Sequence, residues 1–216
     1  MGLLDERNYY KPFNYSWAFE AYKQQQHMHW LPDEVTLADD LKDYREKLSD
    51  DNRKLLSNIF RFFTQADVDV ACGYATHYLP TFKQPEVRMM LSAFANMEAV
   101  HQEAYSLLLE TLGYDDSEYQ MFTQVTAMSD KHEYLSMFDT KTDVGLAKTM
   151  AVYSAFTEGV QLFSSFAILL NFPRHNFMKG MGQIVTWSIR DETLHVESMS
   201  RLFKEFIREN PELWND

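Results

Sequence analysis

The stretch "NMEAVHQEAY", Asn96 to Tyr105, is a polar interruption in an otherwise apolar helical pattern. It sets Glu98, His101 and Tyr105 three and seven residues apart, so all three fall on one face of a helix. A carboxylate and an imidazole at i and i+3 can reach one metal ion, or simply each other as a salt link. The same pair returns in "ETLH", which holds Glu192 and His195. Both acids stand among apolar neighbours at helical spacing: Leu91, Phe94 and Ala95 for Glu98, and Val185, Ile189, Val196 and Met199 for Glu192. A carboxylate buried there needs a cation or a proton.

Two further acids complete a pattern. In "NIFRFFTQADVDVACGY", Asp67 lines up with Phe60, Phe63, Ala71 and Tyr74, whereas Asp69 turns toward Gln65 and Thr76. In "MAVYSAFTEGVQLF", Glu158 lines up with Ala151, Ala155 and Leu162. Asp67 precedes Glu98 by 31 residues and Glu158 precedes Glu192 by 34, enough for two antiparallel helix pairs. Each half of the chain supplies a lone acid and an acid-x-x-His. Four carboxylates and two imidazoles suit two metal ions bridged by carboxylates, iron or manganese before zinc, which more often takes Cys or keeps a water.

The rest of the chain supplies the helices this requires. Long 3.6-period stretches dominate, Gly and Pro are few (7 and 6), and no Asn-Gly or Asp-Gly hairpin signal occurs. The patterns predict a short helix from Trp17 to His27, a loop "HWLPDEV", and a helix capped by Thr36 and reaching Leu48. A long helix follows from Arg53 to Tyr78, capped within Ser49 to Asn52 and stopped by Pro80. Pro85 opens a helix to Leu112 with Gly113 as its C-terminal cap. Ser117 opens one ending near Phe138, Asp143 one through Leu170, and the last runs from Phe177 to Glu209. The expectation is an all-α bundle, one domain over residues 1–216.

Composition excludes several classes. The net charge of −12, with no basic stripe, makes nucleic acid an unpromising partner. A single cysteine, Cys72, rules out an internal disulfide and reads as a small hydrophobe. The N-terminus lacks a secretory pattern, and "GVQLFSSFAILLNF" is too short and too polar for a membrane span, so a cytoplasmic protein is expected.

"EAVHQEAY", "RDETLH" and the two long spacings resemble the small, radical-generating (β) subunit of class I ribonucleotide reductase, a ferritin-like dimetal protein. The resemblance runs from "HWLP" to the final helix. It implies that Asp67, Glu98 and His101 hold one metal and Glu158, Glu192 and His195 the other, as a diiron, dimanganese or mixed centre with diiron first. It implies that Tyr105 stores a radical, and that Trp30 and Asp191 relay it. The implied partners are a second copy of the chain, the large (α) subunit and oxygen or an oxidant derived from it. The reaction would be reduction of ribonucleotides to deoxyribonucleotides. One departure stands out: the family continues beyond the final helix with further helices and a docking tail, and "RLFKEFIRENPELWND" offers no counterpart. Alternatives of the same fold are another oxygen-activating dimetal oxidase or hydroxylase, and a ferritin-like iron-binding protein.

Overall fold

Every regular element among the described residues of this computed structural model is helical. The described residues are 1–214, apart from the side chains of Glu118, Phe122, Thr123, Ala127, Ser136, Ser154 and Ala155. The predicted alignment of Glu158 with Ala155, and the last two residues of the expected 1–216 domain, therefore lie outside them. The elements are α1 (Ser16–Met28), a 3-10 turn (Pro32–Glu34), α2 (Ala38–Glu46), α3 (Asp50–Gly73), α4 (Pro85–Leu112), α5 (Ser117–Gln120), α6 (Thr126–Ser136), α7 (Asp143–Met150), α8 (Phe163–Arg174) and α9 (Lys179–Glu209). Two π-helical segments join α-helical runs: Tyr74–Tyr78 extends α3 toward a last turn at Leu79–Thr81, and Ala151–Leu162 links α7 to α8.

Four long rods make the bundle. α3 packs on α4, and the run from α7 through α8 packs on α9. α1 lies along α4 and also touches α9, closing one side. The apolar stripes of these helices merge into two buried clusters, one around Phe60, Phe63, Tyr105 and Phe166 and the other around Tyr74, Phe94, Leu202 and Phe206.

Several boundaries move for identifiable reasons. α3 starts at Asp50, with the Ser49 hydroxyl accepting the Asn52 N–H at 3.3 Å. Pro80 does not stop the helix at Tyr78. The turn before it widens, the Leu79 N–H reaches back to the Tyr74 carbonyl, and the chain coils on to Thr81. Thr36 does not cap α2, because Leu37 occupies that position without a side-chain bond. Thr142, one residue before the expected start, caps α7 by accepting the Gly145 N–H at 3.0 Å. The helix expected from Ser117 to Phe138 is split into α5, a 3-10 turn and α6, with Val125 extended at the break. Pro173 is accommodated inside the last turn of α8. Pro85 and Gly113 act as expected: Gly113 ends α4 at φ 92°, donating to the Glu110 and Leu109 carbonyls.

α9 begins at Lys179 because Met178 is left-handed, φ 50°. Two acids of α2 hold this strained start. Asp43 accepts the Met178 N–H at 3.0 Å, and Asp40 accepts those of Gly180 and Met181 at 2.9 and 2.8 Å. The approach is so close that a Cβ on Gly180 would sit 2.8 Å from the Thr36 carbonyl oxygen and from Asp40. Asp40→Ala leaves two N–H groups of a helix N-terminus without their acceptor. It is expected to cost about 2–3 kcal/mol, read as a lower midpoint in denaturant at unchanged slope.

The run Asp143–Arg174 is, by length and composition alone, long and apolar enough to cross a membrane, longer than its greasiest stretch suggests. It carries Glu158 into the bundle interior and packs on α9, while Phe156, Val160 and Ile168 on the same run are exposed. Cys72 is exposed rather than a core hydrophobe.

Candidate metal centre

Asp67 comes from α3, Glu98 and His101 from α4, Glu158 from the Ala151–Leu162 π segment, and Glu192 and His195 from α9. All six side chains are 0–1% exposed. They form two overlapping groups, Asp67–Glu98–His101 and Glu98–Glu158–Glu192–His195. Within each group one donor atom per residue lies within 4.8 Å of the others. Glu98 belongs to both groups.

The donor atoms converge on shared space more than on one another. His195 Nδ1 lies 2.9 Å from Glu98 Oε1, and His101 Nδ1 3.1 Å from Glu192 Oε1. Apart from these ion pairs, both oxygens of Glu98 and of Glu192, Asp67 Oδ2, Glu158 Oε2 and His195 Nδ1 make no hydrogen bond of good geometry among the described residues. Buried polar atoms left without hydrogen bonds are costly, at several kcal/mol for a charge that lacks a partner. Two divalent cations would balance four carboxylates, and oxygen with imidazole donors suits iron or manganese. The residues fit a dinuclear metal site.

Electrostatics agree. Burial, then Glu98, pushes the Asp67 carboxyl well above its usual range, and burial, then Glu192, does the same to Glu158. Burial alone would lower the two imidazoles. The carboxylates overcome it, through Asp191, Glu192 and Glu98 for His101 and through Glu192 and Glu98 for His195. His101 stands well above its usual value and His195 is pushed up to about 10. Burial opposes ionisation of Glu192, but His101 and His195 bring it down to about 2. Near pH 7 the free site therefore holds protons on both imidazoles. An imidazole must lose its proton before its nitrogen can bind a cation, so metal affinity rises with pH up to about 10 for His195. Calorimetric titration in two buffers of different ionisation enthalpy should show at least two protons released per chain; no release would contradict the protonated imidazoles.

Outside the cluster, each imidazole is anchored through its far nitrogen. His101 Nε2 lies 3.3 Å from Asp191 Oδ2, and His195 Nε2 lies 3.1 Å from Gln25 Oε1. Gln25 in turn donates to Asp191 Oδ1 at 3.3 Å, tying the two imidazoles together through α1. Such partners orient a ligand and fix which nitrogen faces the ion. Trp30 Nε1 donates to Asp191 Oδ2 at 2.7 Å, so Trp30, Asp191 and His101 form one hydrogen-bonded chain. Asp191 is fully buried, not a surface acid.

Tyr105 is 1% exposed. Its ring stacks on Phe63 at 4.6 Å, and its hydroxyl donates to Ser188 Oγ at 3.1 Å. Burial, then the Asp67 charge, raises its pKa, which keeps it a neutral phenol. Asp69 stays outside the cluster, bonded to Gln65 and paired with His132. Three neighbours were not read from the sequence. Tyr74 was read only as apolar lining, yet its hydroxyl donates to Glu158 Oε1 at 2.9 Å. Gln25 and Ser188 carry no motif, and only the partner helix gives them meaning.

Fold and site together define a helical bundle with a buried carboxylate–imidazole centre shared by two helix pairs. The chain belongs to the ribonucleotide reductase small chain family, whose model matches residues 7–216. It is 51% identical over 224 residues to a protein of Invertebrate iridescent virus 6 that bears the name of a ribonucleoside-diphosphate reductase small subunit. That match covers 97% of this chain and 62% of the relative. A protein of the same name from Invertebrate iridescent virus 3 is 46% identical, over 96% of this chain and 60% of the relative. The chain thus spans about three-fifths of the length of these relatives. A solved class I ribonucleotide reductase structure from Bacillus halodurans superposes with a TM-score of 0.85 at 25% identity, covering 92% of this chain and 72% of that one.

Proposed function

We propose that this chain is the small subunit of a ribonucleoside-diphosphate reductase, building a dimetal centre and a tyrosyl radical that the large subunit uses to make deoxyribonucleotides. The observation that carries the reading is the convergence of six buried ligand side chains beside a buried phenol in a member of this family. Asp67, Glu98 and His101 would hold one metal and Glu158, Glu192 and His195 the other, and Glu98, which belongs to both donor groups, would be shared between them. Iron in both positions is the first expectation, with dimanganese or a mixed pair as variants of the same donor set. The bound pair, with oxygen or an oxidant derived from it, would supply the one-electron oxidising power.

The protein's own residues do the rest. The apolar wall of Phe63 and Phe166 excludes water from Tyr105, which lengthens the life of an oxidised phenol. Trp30 and Asp191 link His101 to the loop before α2, a route for an electron toward a docked partner. A homodimer working with the large subunit in the cytoplasm completes the proposal.

The test is to load the protein with Fe(II) or Mn(II), expose it to oxygen or peroxide, and record its electron spin resonance spectrum. It is then assayed with a matched large subunit for reduction of ribonucleoside diphosphates. A tyrosyl signal with turnover is expected; two bound metals with neither would contradict the proposal. Trp30→Phe breaks the bond to Asp191. It should keep metals and radical while turnover falls to background, and unchanged turnover would remove Trp30 from the relay.

A further inference from the structure

We propose that Ser188 is a positioning residue for the Tyr105 radical: it accepts a hydrogen bond from the phenol in the resting state and donates one to the phenoxyl oxygen once Tyr105 is oxidised. The inference rests on reading Tyr105 as the radical carrier. Tyr105 and Ser188 are 1% and 0% exposed, and the hydroxyl of Tyr105 donates to Ser188 Oγ at 3.1 Å.

The two threonines of α9 use their hydroxyls differently. Thr186 and Thr193 turn their hydroxyls back to the carbonyls of Gly182 and Ile189, each at 2.7 Å. That is the ordinary use of a hydroxyl inside a helix. Ser188 donates no hydrogen bond among the described residues, so its own proton is uncommitted. The Tyr105 ring stacks on Phe63, which stacks on Phe166.

Oxidation of Tyr105 would remove one electron and one proton from the phenol, both taken up by the oxygen-derived oxidant that the dimetal site would supply. The oxygen that remains can only accept. A carboxylate partner could not answer it, because an ionised carboxylate is acceptor-only. A serine can: rotation about its Cβ–Oγ bond turns the proton toward the radical with no heavy atom moving. The radical is then hydrogen-bonded although its pocket is closed to water.

A donor at a phenoxyl oxygen lowers the largest component of its g tensor and adds a hyperfine coupling that vanishes in D2O. High-field electron spin resonance on metal-loaded, oxygen-treated protein reads both. Wild type and Ser188→Thr should show the lowered component and the exchangeable coupling. Ser188→Ala, at equal metal content and with an unchanged helical melt, should show a raised component and no coupling. Ser188→Ala spectra identical to wild type would overturn the inference while leaving the radical on Tyr105. If the alanine variant does not fold, the H2O–D2O comparison on wild type decides, and an absent coupling overturns it. No tyrosyl signal in metal-loaded wild type would overturn both the radical reading and this inference.

Discussion

Glu98→Ala should abolish binding of both metals, not of one. Glu98 is shared by the two ligand groups, with oxygens facing both the His101 and the His195 side. Losing a residue that merely orients a ligand costs ~10–100-fold in affinity, so losing a bridging ligand should cost more than the upper end of that range for each ion. The loss of negative charge also leaves the protonated imidazoles with fewer partners. His101→Ala provides the contrast. It removes a donor from one group only, so the His195 side should retain metal more strongly than in Glu98→Ala. Metal counted per chain after equilibration and desalting separates the cases. Full occupancy in Glu98→Ala would show that the bridge is wrongly placed.

Tyr105→Phe should leave metal content unchanged and eliminate the tyrosyl signal. Among the described residues the phenol makes one hydrogen bond, to Ser188, and the ring keeps its stack on Phe63, so the stability cost should be no more than about 1–2 kcal/mol. The spectroscopic loss should nevertheless be complete. Tyr74 makes this a demanding test, because its phenol also reaches the cluster through Glu158. A tyrosyl spectrum that survives in Tyr105→Phe and disappears in Tyr74→Phe would move the radical to Tyr74.

The sequence shows the helix pairs and the donor set because both depend on spacings that a regular α-helix preserves. Glu98 and His101, and Glu192 and His195, sit on uninterrupted α-helices, so i and i+3 place them as expected. Glu158 is different. It lies in the Ala151–Leu162 π segment, where a 3.6-residue period no longer assigns faces. Its apolar neighbours Ala151 and Leu162 therefore suggested the right interior for an inexact reason: Leu162 is buried, whereas Ala151 is only half-buried. Pro80 misled in a related way, because a proline signals a missing N–H but not the widened turn that accommodates it.

What remained hidden was long-range. Gln25 lies 166 residues from Asp191 and 170 from His195, with only ordinary α1 sequence around it. Asp40 and Asp43 read as acids of a short amphipathic helix, and only the approach of α9 makes them its N-terminal acceptors. Ser188 shows no local pattern until Tyr105 is set opposite. Ligands announce themselves by type and period, whereas the groups that orient them are defined by which helix happens to face them.

The central claim is that six buried side chains hold two metal ions. Native mass spectrometry of the protein after equilibration with Fe(II) or Mn(II) under anaerobic conditions, followed by desalting, tests it most directly. The account predicts two ions per chain. A folded, helical protein that retains none would contradict it.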